Sequence, residues 1–118
     1  MSAAVKFGVS GGSGGGTGLG SDPLSFSDTV NNVVGPLTSA PTSPSKVGVS
    51  VLGVDQSPTS DFTTRLVVGG SAPGYYVCIA TNSSAPGGGV FSGGANPGAG
   101  IATWVQPGDV FLITYEKP

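Results

Sequence analysis

The groups in this chain that could do chemistry are few: six carboxylates (Asp22, Asp28, Asp55, Asp61, Asp109, Glu116), four cations (Lys6, Lys46, Arg65, Lys117), one thiol (Cys78) and no imidazole. Without histidine the chain lacks the commonest general base near neutral pH and the commonest metal ligand. A single cysteine excludes zinc sites of the usual Cys and His composition, and it rules out an intramolecular disulfide. Asp55 and Asp61 bracket a short span and could share a calcium ion with loop carbonyls. The dense D-x-D-x-[DN]-G spacing of a calcium loop is missing, so both read as solvated turn residues. Asp109 and Glu116 are seven apart, an odd separation that sends their side chains to opposite faces of a strand. They make a poor acid and base pair.

Other motifs fail for similar reasons. Ser43-Pro44-Ser45-Lys46 satisfies S-x-x-K, in which a lysine deprotonates a serine nucleophile, but the companion S-D-N and K-T-G strings are absent and the serine lies in a Pro-rich loop. The glycine-rich stretch 11–20 contains neither G-x-G-x-x-G nor G-K-[ST], so it is not a phosphate cradle. Asn82-Ser83-Ser84 is formally a glycosylation sequon and reads as a turn. Cys78 lies inside the apolar run Tyr75-Tyr76-Val77-Cys78-Ile79-Ala80, where a buried structural thiol is expected. These exclusions predict a protein that is not an enzyme, with no cofactor and no metal.

Composition narrows the partners. Only 8% of the 118 residues are charged, against about 25% in an ordinary soluble domain, and the formal net charge is −2. Neither sign forms a run, so the electrostatic footprint of a nucleic-acid binder is missing. No segment approaches the ~18 consecutive apolar residues of a membrane span. Residues 1–9 carry one lysine and no long apolar core, so no secretory signal is expected and synthesis in a cytoplasm is. Trp104, Tyr75, Tyr76 and Tyr115 could form a stacking platform for sugars or bases. Packing of Trp104 in a core or an interface is the favoured reading, because large aromatics bury much area and are common at interfaces.

The elements that must position these groups are short strands. Pro73-Gly74, Pro86-Gly87, Pro97-Gly98 and Pro107-Gly108 cut the second half of the chain into pieces too short for ordinary helices, and Pro-Gly suits a type II turn. Val47, Val49 and Val51 alternate, with the strand running on to Leu52 and Val54. Phe62, Thr64, Leu66 and Val68 face one way and Thr63, Arg65 and Val67 the other. The run from Tyr75 to Ala80 predicts a strand covered on both faces. A brief strand is expected at Gly89 to Phe91, then a hairpin of Ile101 to Val105 with Asp109 to Tyr115 about the Gln106 to Asp109 turn. That alternation puts Trp104 opposite Ile101, Thr103 and Val105. Leu24, Phe26 and Val30 alternate, while Val30, Val33, Val34 and Leu37 also fit one helical face after a Ser27 cap, and Pro36 would keep such a helix short. The whole predicts an all-β fold, a small sandwich or barrel of about six to eight strands. Its domain covers residues 21–118. Residues 1–20 form an N-terminal arm and a flexible glycine-rich linker, and Val5, Phe7 and Val9 alternate in the arm as a docking strand would.

A small, charge-poor, Gly/Ser/Thr/Pro-rich all-β chain with a loose N-terminal segment and no catalytic residues resembles the head decoration, or cement, proteins of tailed bacteriophages. The likeness runs through stretch 11–20, the 38–45 loop and the strands from Lys46 to Tyr115, and it rests on no diagnostic string. It implies a β domain on the outer capsid surface of a virion, a homo-oligomer and often a trimer, whose arm orders on a neighbouring subunit and clamps capsomers. The major capsid protein or another virion subunit would be the partner, with no nucleic acid and no membrane involved. Val5, Phe7, Val9 and Trp104 are the interaction residues expected. The alternative is a ligand-binding module, such as a sugar-binding domain or phage tail adhesin, using Trp104 and the loops.

Overall fold

The computed structural model describes residues 18–118, and they form two four-stranded antiparallel sheets. Sheet A has the order β1-β8-β3-β4, from β1 (Gly18–Ser25), β8 (Val110–Lys117), β3 (Gly48–Val51) and β4 (Val54–Asp55). Sheet B has the order β2-β6-β5-β7, from β2 (Val33–Val34), β6 (Gly74–Cys78), β5 (Thr63–Val68) and β7 (Val90–Phe91). The fold is all-β and sandwich-like, as the turn spacing predicts.

Period-two alternation determines what lies between the sheets. Phe111, Ile113 and Tyr115 of β8 and Val49 and Val51 of β3 point inward and are buried, and they meet Val34, Phe62 and Val77 from the other side. Phe26, Leu37, Val47, Ile79, Ile101 and Val105 close the rim of this core. Register fixes the inward set: Val49 stands opposite Ile113 and Val51 opposite Phe111, while Asp22 stands opposite Ile113 and Leu24 opposite Phe111. A one-residue slip would turn the whole set outward.

The strand read as Val47 to Val54 is instead a hairpin. Val51 pairs with Val54 across a two-residue loop in which Leu52 (φ 54°) and Gly53 (φ 81°) are both left-handed, the geometry that matches the twist of tight hairpins. The alternation assigned to residues 62–68 holds, since Thr64 and Leu66 stand opposite Val77 and Tyr75, whereas Thr63, Arg65 and Val67 face the other way. Strand β6 is covered on both faces, as its apolar run predicts. Tyr76 and Cys78 form a second, smaller core with Val33 and Val67, capped by Ala85 and Phe91.

Three expectations are corrected. Strand β1 begins at Gly18, inside the stretch read as linker, because Gly18, Leu19 and Gly20 pair with Lys117, Glu116 and Tyr115. No helix forms between residues 24 and 37. Asp28 accepts the backbone N–H groups of Val30 and Asn31 at 3.1 and 2.9 Å, which closes a turn and leaves Val30 in solvent. The hairpin of Ile101 to Val105 with the last strand does not exist either, since β8 pairs with β1 and β3 instead. Residues 101–105 are a turn in which the N–H groups of Trp104 and Val105 both bond to the carbonyl of Ile101. Helical spacing therefore buries Ile101 and Val105 together and turns Thr103 and Trp104 outward.

Candidate functional site

Among the described residues, charge is concentrated at one buried place. The carboxylate of Asp22, 3% exposed, points inward from β1 and accepts the Thr38 hydroxyl at 2.6 Å, the Thr38 N–H at 2.9 Å, the Lys117 ammonium at 2.9 Å and the Tyr115 hydroxyl. Burial pushes the Asp22 carboxyl up, but the hydrogen bonds from Thr38, Tyr115 and Lys117 outweigh it and hold the group well below the usual carboxylate range. The bond to Asp22 raises the pKa of Lys117 in turn. Tyr115 Oη also accepts the N–H of Ser39 at 3.2 Å, so the cluster ties the 38–45 loop to the edge of sheet A.

This cluster escaped the sequence reading, which weighed Asp109 and Glu116 instead. One signal was present: Tyr115 and Lys117 are two apart on the last strand and so share its inward face. Lys117 and Asp22 hold each other in their charged forms, which disfavours a reaction between them. Condensing an amine with a carboxyl requires a neutral amine and a protonated acid, and the mutual stabilisation of ammonium and carboxylate opposes both. The arrangement is a structural tie.

The remaining reactive groups are dispersed. Cys78 is fully buried and burial pushes its thiol up to about 11, so little thiolate is available for nucleophilic chemistry. Asp61 accepts the N–H of Ser57, and Asp109 accepts the N–H of Gln106, each closing its own turn. Among the described residues no group of three or more His, Cys, Asp or Glu could hold a metal ion, and no helix is long and apolar enough to cross a membrane.

The aromatic residues are not gathered into a platform. Tyr115 is buried against Asp22, Tyr76 is buried on the far side of sheet B with its hydroxyl donating to the carbonyl of Ala72, and Tyr75 faces between the sheets. Trp104 stands apart on its turn, 46% exposed, so core packing is excluded and an interface remains open to it. Val5, Phe7 and Val9 lie outside the described residues.

Two surfaces carry more than a solvated coat. The outward face of sheet A presents Leu19, Ser21, Pro23 and Ser25 of β1 beside Val110, Leu112 and Thr114 of β8, with Gly48 and Ser50 of β3 next in order. Leu19 is 73% exposed and Leu112 44%, and the only charged side chains on this face of the described sheet are the carboxylates of Glu116 and Asp55 at its margins. The second surface is a cleft of about 310 Å³ where the 3-10 turn Pro44–Lys46 and Val47 approach Pro58, Thr59, Phe62 and Thr64. No protein-family model, no curated protein and no solved structure matches this chain.

Proposed function

We propose that this chain is a non-enzymatic structural protein of a virion, a capsid decoration or cement protein that binds the outer capsid surface and stabilises contacts between capsomers. The observation that carries the reading is the open face of sheet A, where Leu19, Val110 and Leu112 are exposed among Ser, Thr and Gly and none of the strand residues pointing outward on the described sheet is a cation. Large apolar side chains exposed on one sheet face among uncharged polar ones support a reading of that face as an interaction surface. Its size also bears on the architecture. Strands of eight, eight, four and two residues, at about 4.8 Å between strands and about 3.4 Å per residue, give a footprint of roughly 360 Å², less than half of the ~800 Å² that one partner contributes to a standard interface. The exposed hairpin tip at Leu52 and Val54, the N-terminal residues Val5, Phe7 and Val9, and Trp104 are the apolar groups that would supply the rest. A homo-oligomer, with a trimer as the expected form, is a natural way to add them together.

Sedimentation of the protein with empty capsids of the virus that encodes it tests this reading. Saturable binding at a fixed ratio to the major capsid protein is expected, with weak dependence on salt because few ion pairs are available to be screened. No binding, or a loss of several orders of magnitude between low and high salt, would overturn it. The second reading, a sugar-binding module or tail adhesin, draws on the exposed ring of Trp104 and predicts glycan-dependent quenching of its fluorescence.

A further inference from the structure

We infer that Leu52, at the tip of the β3–β4 hairpin, is a docking anchor that seats in an apolar pocket on a partner protein, and that the fold holds it ready for that contact at a cost to its own stability. The residue is misplaced for stability alone. It occupies the first position of a two-residue loop in which both φ angles are positive, 54° at Leu52 and 81° at Gly53. Asn, Asp or Gly is the usual choice there, and a bulky side chain is an outlier. The Leu52 side chain is 68% exposed, and nothing lies within 4 Å of a Cβ built on Gly53 beside it, so the tip stands clear of the described chain. Neither backbone preference nor burial within the described domain accounts for a leucine here.

The two other non-glycine residues at positive φ, Asn32 and Thr59, have reasons within the fold. Asn is a type that visits the left-handed region, and the carbonyl of Asn32 accepts the Ile79 N–H at 3.2 Å and the Ser83 hydroxyl at 2.7 Å. Thr59 is held from two sides, since its N–H donates to the carbonyl of Phe62 and its own carbonyl accepts the N–H of Gly98, each at 2.8 Å. Among the described residues no backbone hydrogen bond from outside the hairpin reaches Leu52. An unfavourable conformation that the rest of the fold does not require points to function.

Conformation and charge name the kind of partner. A loop this short fixes the direction of Leu52 before contact, which lowers the entropy lost on binding. Such fixing is of use against a shaped pocket and of none against a fluid lipid surface, which accepts an apolar group from any direction. Charge points the same way. Leu52 follows Val51, which stands opposite Phe111, so the tip lies at the end of sheet A that carries Val110. The charged groups at this end are carboxylates, Asp55 opposite Ser50 and Asp109 next to Val110. The described cations are elsewhere: Lys46 precedes the far end of β3, Lys117 stands opposite Gly18 at the far end of β8, and Arg65 is held by Gly93, Gly94 and Asn96. An anionic lipid surface or a nucleic acid is therefore repelled, whereas a protein pocket rimmed by N–H groups or by a cation fits. The identity of the partner rests on the capsid reading; the choice of Leu52 as anchor rests on the hairpin itself.

The experiment pairs thermal unfolding with sedimentation on empty capsids of the virus that encodes the protein, for the wild type, Leu52→Asn and Leu52→Met. Asn suits the first position of this turn, so Leu52→Asn should keep the hairpin and raise Tm by roughly 4 °C. The same variant should weaken capsid binding by about tenfold or more, because one buried leucine is lost. Leu52→Met keeps an apolar side chain on the same backbone and should retain most of the binding. Phosphatidylcholine vesicles, run alongside, should bind none of the three. A lower Tm for Leu52→Asn would make Leu52 a structural residue and overturn the inference. So would capsid binding by Leu52→Asn equal to that of the wild type, or vesicle binding by the wild type that Leu52→Asn abolishes, which would assign the tip to a lipid surface. Each of these results leaves the capsid reading in place as long as the wild type sediments with capsids. Wild-type protein that does not sediment overturns that reading and the anchor together.

Discussion

The two sheets differ in what covers their outward faces. The outer face of sheet B is covered by the chain itself: Val33, Val67, Tyr76 and Cys78 are buried with Ala85 and Phe91 packed against them, both from the long excursion between residues 80 and 100, in which Phe91 stands beside Val67 on the edge strand β7. Arg65 pins that excursion down. Its guanidinium donates to the carbonyls of Gly93 and Gly94 and to Asn96 Oδ1, and it stacks 4.0 Å from the centre of the Phe91 ring. Gly100 closes the same excursion, with φ at 78° and the carbonyl of Ile79 so near that a Cβ would lie 2.4 Å from it. The outer face of sheet A receives no such cover from the described residues, and its apolar groups meet solvent. This chain thus covers one outward sheet face with a loop of its own, whereas the described residues leave the outward face of sheet A open.

The largest effect expected is at the tie on the inner side of sheet A. Asp22→Ala leaves the Tyr115 hydroxyl and the Lys117 ammonium without their shared acceptor and frees the 38–45 loop, and it should cost about 3 kcal/mol in urea unfolding. The pH dependence follows from the direction of the shift. Because the fold favours the ionised carboxylate, the contribution of Asp22 is fully present above its unfolded value near about pH 4 and is lost as pH falls through the lower folded value. The stability gap between the wild type and Asp22→Asn should therefore be widest near neutrality and narrow steadily below about pH 4. A gap that is independent of pH would mean that the site is held by neutral hydrogen bonds.

Next in size is the covered face of sheet B. Val67 is fully buried on it, so Val67→Ala creates a cavity under the loop and should cost about 2 kcal/mol. Calorimetry would report it as a drop in Tm. If the cost is negligible, the cover is loose and the two sheets are more alike than they look.

Much of this architecture was legible in the sequence, and the parts that were not share a cause. Val47, Val49 and Val51, and the run from Tyr75 to Ala80, announce themselves because alternation and unbroken apolar runs are local. Pairing is not local: Gly18 finds Lys117 across nearly the whole chain, and nothing near either residue signals it. The same holds for the Asp22 cluster, whose members come from three distant segments. Residues 101–105 misled for another reason. Ile-Ala-Thr-Trp-Val satisfies alternation and helical spacing at once, and the bonds that decide between them run from Ile101 and Ala102 to the carbonyl of Ile79, 22 residues away. The Gln106 to Asp109 turn, by contrast, was legible: the N–H of Asp109 bonds to Gln106 O at 3.0 Å and Gly108 has φ 95°, the type II signature.

That turn feeds β8, the strand that lies beside both β1 and β3, and it offers a smaller test. Nothing lies within 4 Å of a Cβ built on Gly108, so Gly108→Val is penalised by backbone conformation alone. A cost of about 1 kcal/mol is expected, since a β-branched residue is disfavoured at positive φ. A cost well above this would reveal that β8 shifts register when its entry is strained, and would show up as new exposure of Phe111 and Ile113.

The smallest effect on stability is expected on the open face of sheet A. Leu112 is on the open face of sheet A, between Pro23 and Ser50 in register, and a substitution there removes nothing from the core between the sheets. Leu112→Ser should thus leave the unfolding free energy within about 0.5 kcal/mol of wild type. Attachment is another matter. If this face is covered by a partner, Leu112 lies near the middle of the buried area, where side chains contribute most to binding, and truncating it should weaken capsid binding by tenfold or more. The paired measurement separates two roles that a single variant often confuses, because Val67→Ala should lower Tm without touching attachment beyond what lost folding explains, and Leu112→Ser should do the reverse. A Leu112→Ser protein that melts and attaches like the wild type would remove sheet A from the interface and leave the Leu52 and Val54 tip, Trp104 and the N-terminal segment to carry it.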